Sequence, residues 1–94
     1  MLLERSEVLI KEGLENEFAT AMKEHGIALL SRVPGVKSVC VGRGVENPGK
    51  FMLLVEWESM EAHTAYGKTP SCGALRELIR PFSKGGSMEH FRMG

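Results

Sequence analysis

The sequence predicts an α+β domain of the ferredoxin-like type: a four-stranded antiparallel sheet with helices on one face, in the order β-α-β-β-α-β. Three observations predict it. A helical apolar arc occupies residues 13–32, strand-like apolar segments precede and follow it, and the strongest strand, FMLLVEWE at 51–58, is apolar on both sides. An open antiparallel sheet normally offers one face to water. A strand that wants cover on both faces therefore implies a second copy of the chain over the face the helices leave bare, closing a dimeric α+β barrel.

Each element has its own signal. Residues 2–11 end in VLIK and read as a strand with a polar start. In 13–32, Leu14, Phe18, Ala21, Met22, His25 and Leu29 fall within one arc at about 100° per residue. Pro34-Gly35 stops that helix, and VKSVCVGR at 36–43 is the second strand. Asn47-Pro48-Gly49 turns the chain into the third, where Phe51, Leu53, Val55 and Trp57 share one side. Ser59 is an N-cap candidate for a second helix, with Glu61 in its first turn. That helix runs to Tyr66, is interrupted by GKTPSCG at 67–73, and resumes as ALRELIR before Pro81. KGGS at 84–87 is expected to turn the chain into a last strand, MEHFRM at 88–93.

With 94 residues the chain is a single domain, 1–94, with a modest core. Its formal net charge is zero, and no basic run is interleaved with aromatics, so nucleic acid is not an expected partner. The two cysteines, Cys40 and Cys72, match neither a disulfide framework nor CxxC metal spacing. The N-terminus is too charged for a signal peptide and nothing approaches a membrane span, so the expected setting is cytoplasmic, away from the membrane. The three histidines lack metal-ligand spacing, and no metal is expected.

Beyond these physical signals, VPGV at 33–36, VEWESMEAH at 55–63, the T-P at 69–70, A-L-R at 74–76 and the closing E-H-F resemble the antibiotic biosynthesis monooxygenase domains of the dimeric α+β barrel superfamily. The resemblance spans almost the whole chain. It implies cofactor-independent oxygenation of quinols or polyketide aromatics, haem degradation, or membership among the family's many domains of no assigned activity. In the polyketide-oxidising branch the pocket Trp corresponds to Trp57, a helix-borne Tyr to His63 and an Arg to Arg76, while an Asn of that branch falls at Leu53. The haem-degrading branch would require an Asn, a Trp and a proximal His where this chain has Ser6, Tyr66 and Arg76, so haem is not expected. The quinol-oxidising branch often carries histidines at the position of Tyr66 and after the T-P, where this chain has Ser71-Cys72.

Read from the residues alone, Trp57 is a core residue of its strand that also offers a stacking face and an N–H donor. His63 and Tyr66, three apart on the second helix, share a similar face, and His63 has a near-neutral pKa suited to deprotonating a phenol. Arg76 is a solvated arginine or a fixed positive charge for an anionic oxygen. His25 is a core histidine or a cleft-facing one. Together with the resemblance these residues predict a cofactor-independent monooxygenase of a small aromatic, quinol-type substrate. In it His63 and Arg76 are catalytic, Trp57, Tyr66 and His25 bind substrate, and no cofactor is required. It would act as a homodimer through the open sheet face. The alternative is a non-catalytic dimeric small-molecule-binding or stress-response domain.

Overall fold

A computed structural model describes residues 1–94. In chain order it contains β1 (Leu2–Ile10), α1 (Glu15–Ala21), a π-helical turn (Met22–Gly26), α2 (Ile27–Ser31), β2 (Val36–Arg43), β3 (Lys50–Trp57), α3 (Met60–Tyr66), α4 (Pro70–Ile79) and β4 (Ser83–Arg92). The strands form one antiparallel sheet ordered β2-β3-β1-β4, the ferredoxin-like arrangement. No helix is long and apolar enough to cross a membrane.

Residues opposed across strands share a face, so the register fixes what lies under the helices. Leu2, Glu4, Ser6 and Val8 of β1 pair with Trp57, Val55, Leu53 and Phe51 of β3. On that face Phe51, Leu53, Val55 and Trp57 are buried, capped by Phe18, Met22, Leu30, Tyr66 and Leu75 from the helical layer. Phe18 meets Phe51 edge-on, ring centroids 4.8 Å apart. Two polar residues intrude on this face: Glu4 and Ser6 are only 5% and 7% exposed. The other face carries Leu3, Arg5, Glu7 and Leu9 against Glu56, Leu54, Met52 and Lys50. No element of the chain covers it, and Leu54 and Phe91 are exposed there.

Three local expectations are corrected. The first helix does not run unbroken from 13 to 32, because it widens into a π turn at Met22–Gly26. Its buried residues, Phe18, Met22, Gly26 and Leu30, recur at a strict spacing of four. On a regular α-helix that spacing drifts by about 40° per step; a wider turn cancels the drift and keeps the row on the core. The segment at 67–73 is not an interruption lasting to 74. Thr69 caps a new helix, its Oγ1 accepting from the Cys72 N–H at 3.3 Å, and Pro70 takes the first position, where its missing donor costs nothing. Lys84–Ser87 is strand rather than turn: Gly85 adopts φ 152°, and a Cβ on Gly86 would collide with the Glu7 carbonyl oxygen. Ser59 does cap α3, accepting from the Ala62 N–H at 3.1 Å.

Candidate functional site

The alternation of β1 places one carboxylate, Glu4, inside an apolar face, and the neighbouring elements supply its partners. Ser6 lies two residues along the same face and donates its hydroxyl to Glu4 Oε2 at 2.7 Å. Trp57, ending β3, donates Nε1–H to Glu4 Oε1 at 3.0 Å. The Ser59 cap starts α3 so that His63, one turn in, brings Nε2 to 3.3 Å from the same Oε1. On the other side β4 pairs with β1 so that His90 stands opposite Glu4. The Nε2 atoms of His90 and His63 are 3.3 Å apart. The His63 ring packs edge-on against both Trp57 and His90, at centroid distances of 5.2 and 4.3 Å.

Burial and charge act against each other on His63. Desolvation holds it below the ordinary histidine value of 6.5, the Glu4 charge pulls it up, and His90 pushes it down. The ring is therefore neutral at neutral pH. Its Nδ1 is buried without a hydrogen-bond partner.

Beside this cluster lies a cavity of about 650 Å³ between the sheet and α4. Its walls are mainly apolar, with Leu53 and Leu75 among them, and Glu4, Ser6, Tyr66 and Arg76 are among the polar groups, with Glu7 and Arg80 also in the lining. Tyr66 is 7% exposed, and its hydroxyl has no hydrogen-bond partner. An unsatisfied buried hydroxyl costs about 1–3 kcal/mol, and in a cavity wall it is a donor ready for a ligand. Burial first, then the nearby Cys72 thiol and Glu4, push its phenol up to about 12. Because the folded value lies above the unfolded 10.0, the stability contributed by the protonated phenol is complete below pH 10.0 and is lost as pH rises through about 12. The chain has a single tyrosine. An ultraviolet titration is therefore expected to place its ionisation near 12 when folded and near 10.0 in urea. A folded midpoint at the unfolded value would mean that water reaches the hydroxyl.

The structure brings together four of the five residues singled out in the sequence. Trp57, fully buried, and His63 both contact Glu4, while Tyr66 and the exposed Arg76 line the cavity. Trp57 and His63 lie behind Glu4 and are absent from the cavity lining. His25 is not part of the site. Its side chain is 66% exposed, 3.9 Å from the Glu24 carboxylate, because the π turn rotates it off the buried row. Glu4 and His90 are not among the residues singled out in the sequence. The signal for Glu4 is phase: Leu2, Val8 and Ile10 set the inward side of β1, which carries Glu4 and Ser6 inward with them.

The family model described as "Antibiotic biosynthesis monooxygenase" matches residues 1–78. The chain is 38% identical over 97 residues to the uncharacterised protein YczJ of Bacillus subtilis, covering 98% of each. Among solved structures, a protein of Bordetella bronchiseptica named for antibiotic biosynthesis monooxygenase superposes with TM-score 0.89 at 22% identity, covering 99% of this chain and 96% of that one. SnoaB, a cofactor-independent oxygenase from Streptomyces nogalater, superposes with TM-score 0.84 at 15% identity, covering 98% and 91%. At those identities the two superpositions speak for the fold.

Proposed function

The chain belongs to the antibiotic biosynthesis monooxygenase family, and from that premise we propose that it is a cofactor-independent monooxygenase of a small aromatic, quinol-type substrate, acting as a homodimer. The supporting observation is the apolar cavity whose wall holds a buried carboxylate, Glu4, and an unpartnered hydroxyl, that of Tyr66. Its volume of about 650 Å³ lies within the usual range for small-molecule sites.

In this proposal Glu4 takes the phenolic proton of the bound substrate. Tyr66 donates a hydrogen bond to the substrate oxygen, and the Arg76 guanidinium faces the anion so produced. His63 and Trp57 hold the carboxylate from behind, so the role of proton acceptor, first expected of His63, passes to the residue that reaches the cavity. The electron-rich phenolate passes one electron to dioxygen, superoxide and the resulting phenoxyl radical combine at carbon into a carbon–oxygen bond, and the peroxide anion takes back the proton held by Glu4. For a reacting methylene carbon, the hydroperoxide so formed loses water to leave a carbonyl. One oxygen atom stays on carbon and the other leaves as water.

The second reading, a non-catalytic binding domain, draws support from the same cluster. Trp57, Ser6 and His63 already occupy the Glu4 carboxylate, as they would in a purely structural network. Oxygen uptake by the wild-type chain with a panel of hydroquinones and anthrones separates the two. Turnover above the buffer rate supports the oxygenase. Quenching of the single tryptophan by these compounds without oxygen uptake supports binding alone.

The homodimer rests on the uncovered sheet face, where Leu3, Leu9, Met52, Leu54 and Phe91 stand among the ion pairs Arg5–Glu89 and Lys50–Glu7. Light scattering at micromolar concentration is expected to give twice the 10.4 kDa chain mass. A monomer would remove this part of the proposal.

A further inference from the structure

We propose that Glu4, His63 and His90 form a binding site for one divalent first-row transition metal ion, of which Zn²⁺ and Co²⁺ are the probes of choice. One ligand atom from each of the three residues lies within 4.8 Å of the others. Two of the separations, His63 Nε2 to Glu4 Oε1 and His63 Nε2 to His90 Nε2, are both 3.3 Å. An ion about 2.0–2.2 Å from each of its nitrogen and oxygen ligands sets neighbouring donors about 3.3–3.5 Å apart when tetrahedral. Those two separations are therefore the ones expected of donors sharing an ion, and the third, between Glu4 and His90, is within 4.8 Å, so a small rotation of the partly buried His90 ring completes the site. The donor set, two imidazoles and a carboxylate, suits zinc, cobalt or iron, and three protein ligands leave a coordination position open.

Hydrogen bonding alone serves this cluster poorly. His63 Nε2 faces both an acceptor, the Glu4 carboxylate, and the Nε2 of His90. A neutral imidazole carries one proton or one lone pair at that atom. If it donates to Glu4, it cannot also accept from His90, and a proton shared between Glu4 and the His90 lone pair serves each only at 3.3 Å; if it accepts from His90, its lone pair faces a carboxylate. A cation at the centre of the three atoms meets every lone pair at once. The carboxylate is also oriented as a metal ligand should be, by donors outside the site: Trp57 Nε1–H to Oε1 and Ser6 Oγ–H to Oε2. The ligands come from β1, α3 and β4, so a bound ion would tie the edge strand to the helical layer. Entry does not require unfolding, since His63 and His90 are only partly buried.

The site stands on this geometry and not on the oxygenase proposal, but the two are linked. An ion on Glu4 Oε1 neutralises the carboxylate that proton abstraction would use, so the metal-loaded chain would not carry out that step. The test reads binding. The chelator-treated full chain, titrated with Co²⁺, is expected to develop ligand-field absorption saturating at one ion per chain, and Zn²⁺ should displace it in calorimetry. Glu4→Gln and His90→Ala, checked for folding by circular dichroism, are each expected to weaken binding at least about 100-fold. His25→Ala, which removes the one histidine outside the cluster, should leave it unchanged. Either the absence of binding, or binding that survives His90→Ala through the cysteines or the surface, would overturn the site.

Discussion

Trp57→Ala is expected to be the most damaging single substitution in the chain, costing roughly 3–5 kcal/mol from the cavity it opens. Trp57 is the largest fully buried side chain, at 0% exposure. Its loss would also remove the N–H that holds Glu4 Oε1 at 3.0 Å, leaving a buried carboxylate short of a partner at a further cost of about 1–3 kcal/mol. Small domains are stable by only about 5–15 kcal/mol, so the two losses together consume most of the margin. Trp57→Phe separates them, because it keeps much of the ring packing and deletes only the donor. Urea denaturation followed by far-ultraviolet circular dichroism, at one fixed chain concentration because dimerisation would contribute to stability, should rank the variants wild type, Trp57→Phe, Trp57→Ala. A loss below about 1 kcal/mol for Trp57→Ala would mean that the indole is not the keystone its burial implies.

What made Trp57 legible in the sequence made Glu4 hard to see. The strand at 51–58 announces itself because its apolar residues agree in phase, and Phe51, Leu53, Val55 and Trp57 are all buried as that phase demands. β1 carries the same inward phase through Leu2, Val8 and Ile10, but Glu4 and Ser6 interrupt it, and a charge on a strand reads by default as solvent-facing. The partners that make burial tolerable, Trp57 and His63, lie 53 and 59 residues away, and local pattern cannot pair them. His25 failed for the opposite reason. A fixed period of 100° placed it in the apolar arc, and the π turn, whose only sequence trace is the spacing of Phe18, Met22, Gly26 and Leu30, carried it into solvent. At the end of the chain, Gly85-Gly86 reads as a turn. Gly86 is there because β4 passes too close to the Glu7 carbonyl for a side chain, and Gly85 because its φ of 152° disfavours one. Regular packing was therefore visible from sequence alone, and the polar site was visible only where one of its members also packs.

Glu4→Gln is expected to lower oxygenase turnover by roughly 10²–10⁴-fold, the usual worth of a positioned general base, while leaving the fold in place. Glutamine preserves the shape of the side chain and keeps one oxygen for Trp57 or Ser6, but it cannot take a proton. His63→Gln should cost less, because His63 acts on the substrate only through Glu4: it lies outside the cavity lining, and its contact with the chemistry is the 3.3 Å approach to Oε1. Tyr66→Phe should act on KM more than on kcat and leave stability unchanged or raise it by about 1 kcal/mol, since the hydroxyl it removes has no partner within the chain. The order of the first two variants decides the assignment. If His63→Gln abolishes oxygen uptake and Glu4→Gln retains most of it, the imidazole is the base, and the ring must turn into the cavity when substrate binds. If Glu4→Gln is the silent one, the buried carboxylate serves the fold, and proton abstraction must pass to another group of the lining, where Glu7 is the other carboxylate.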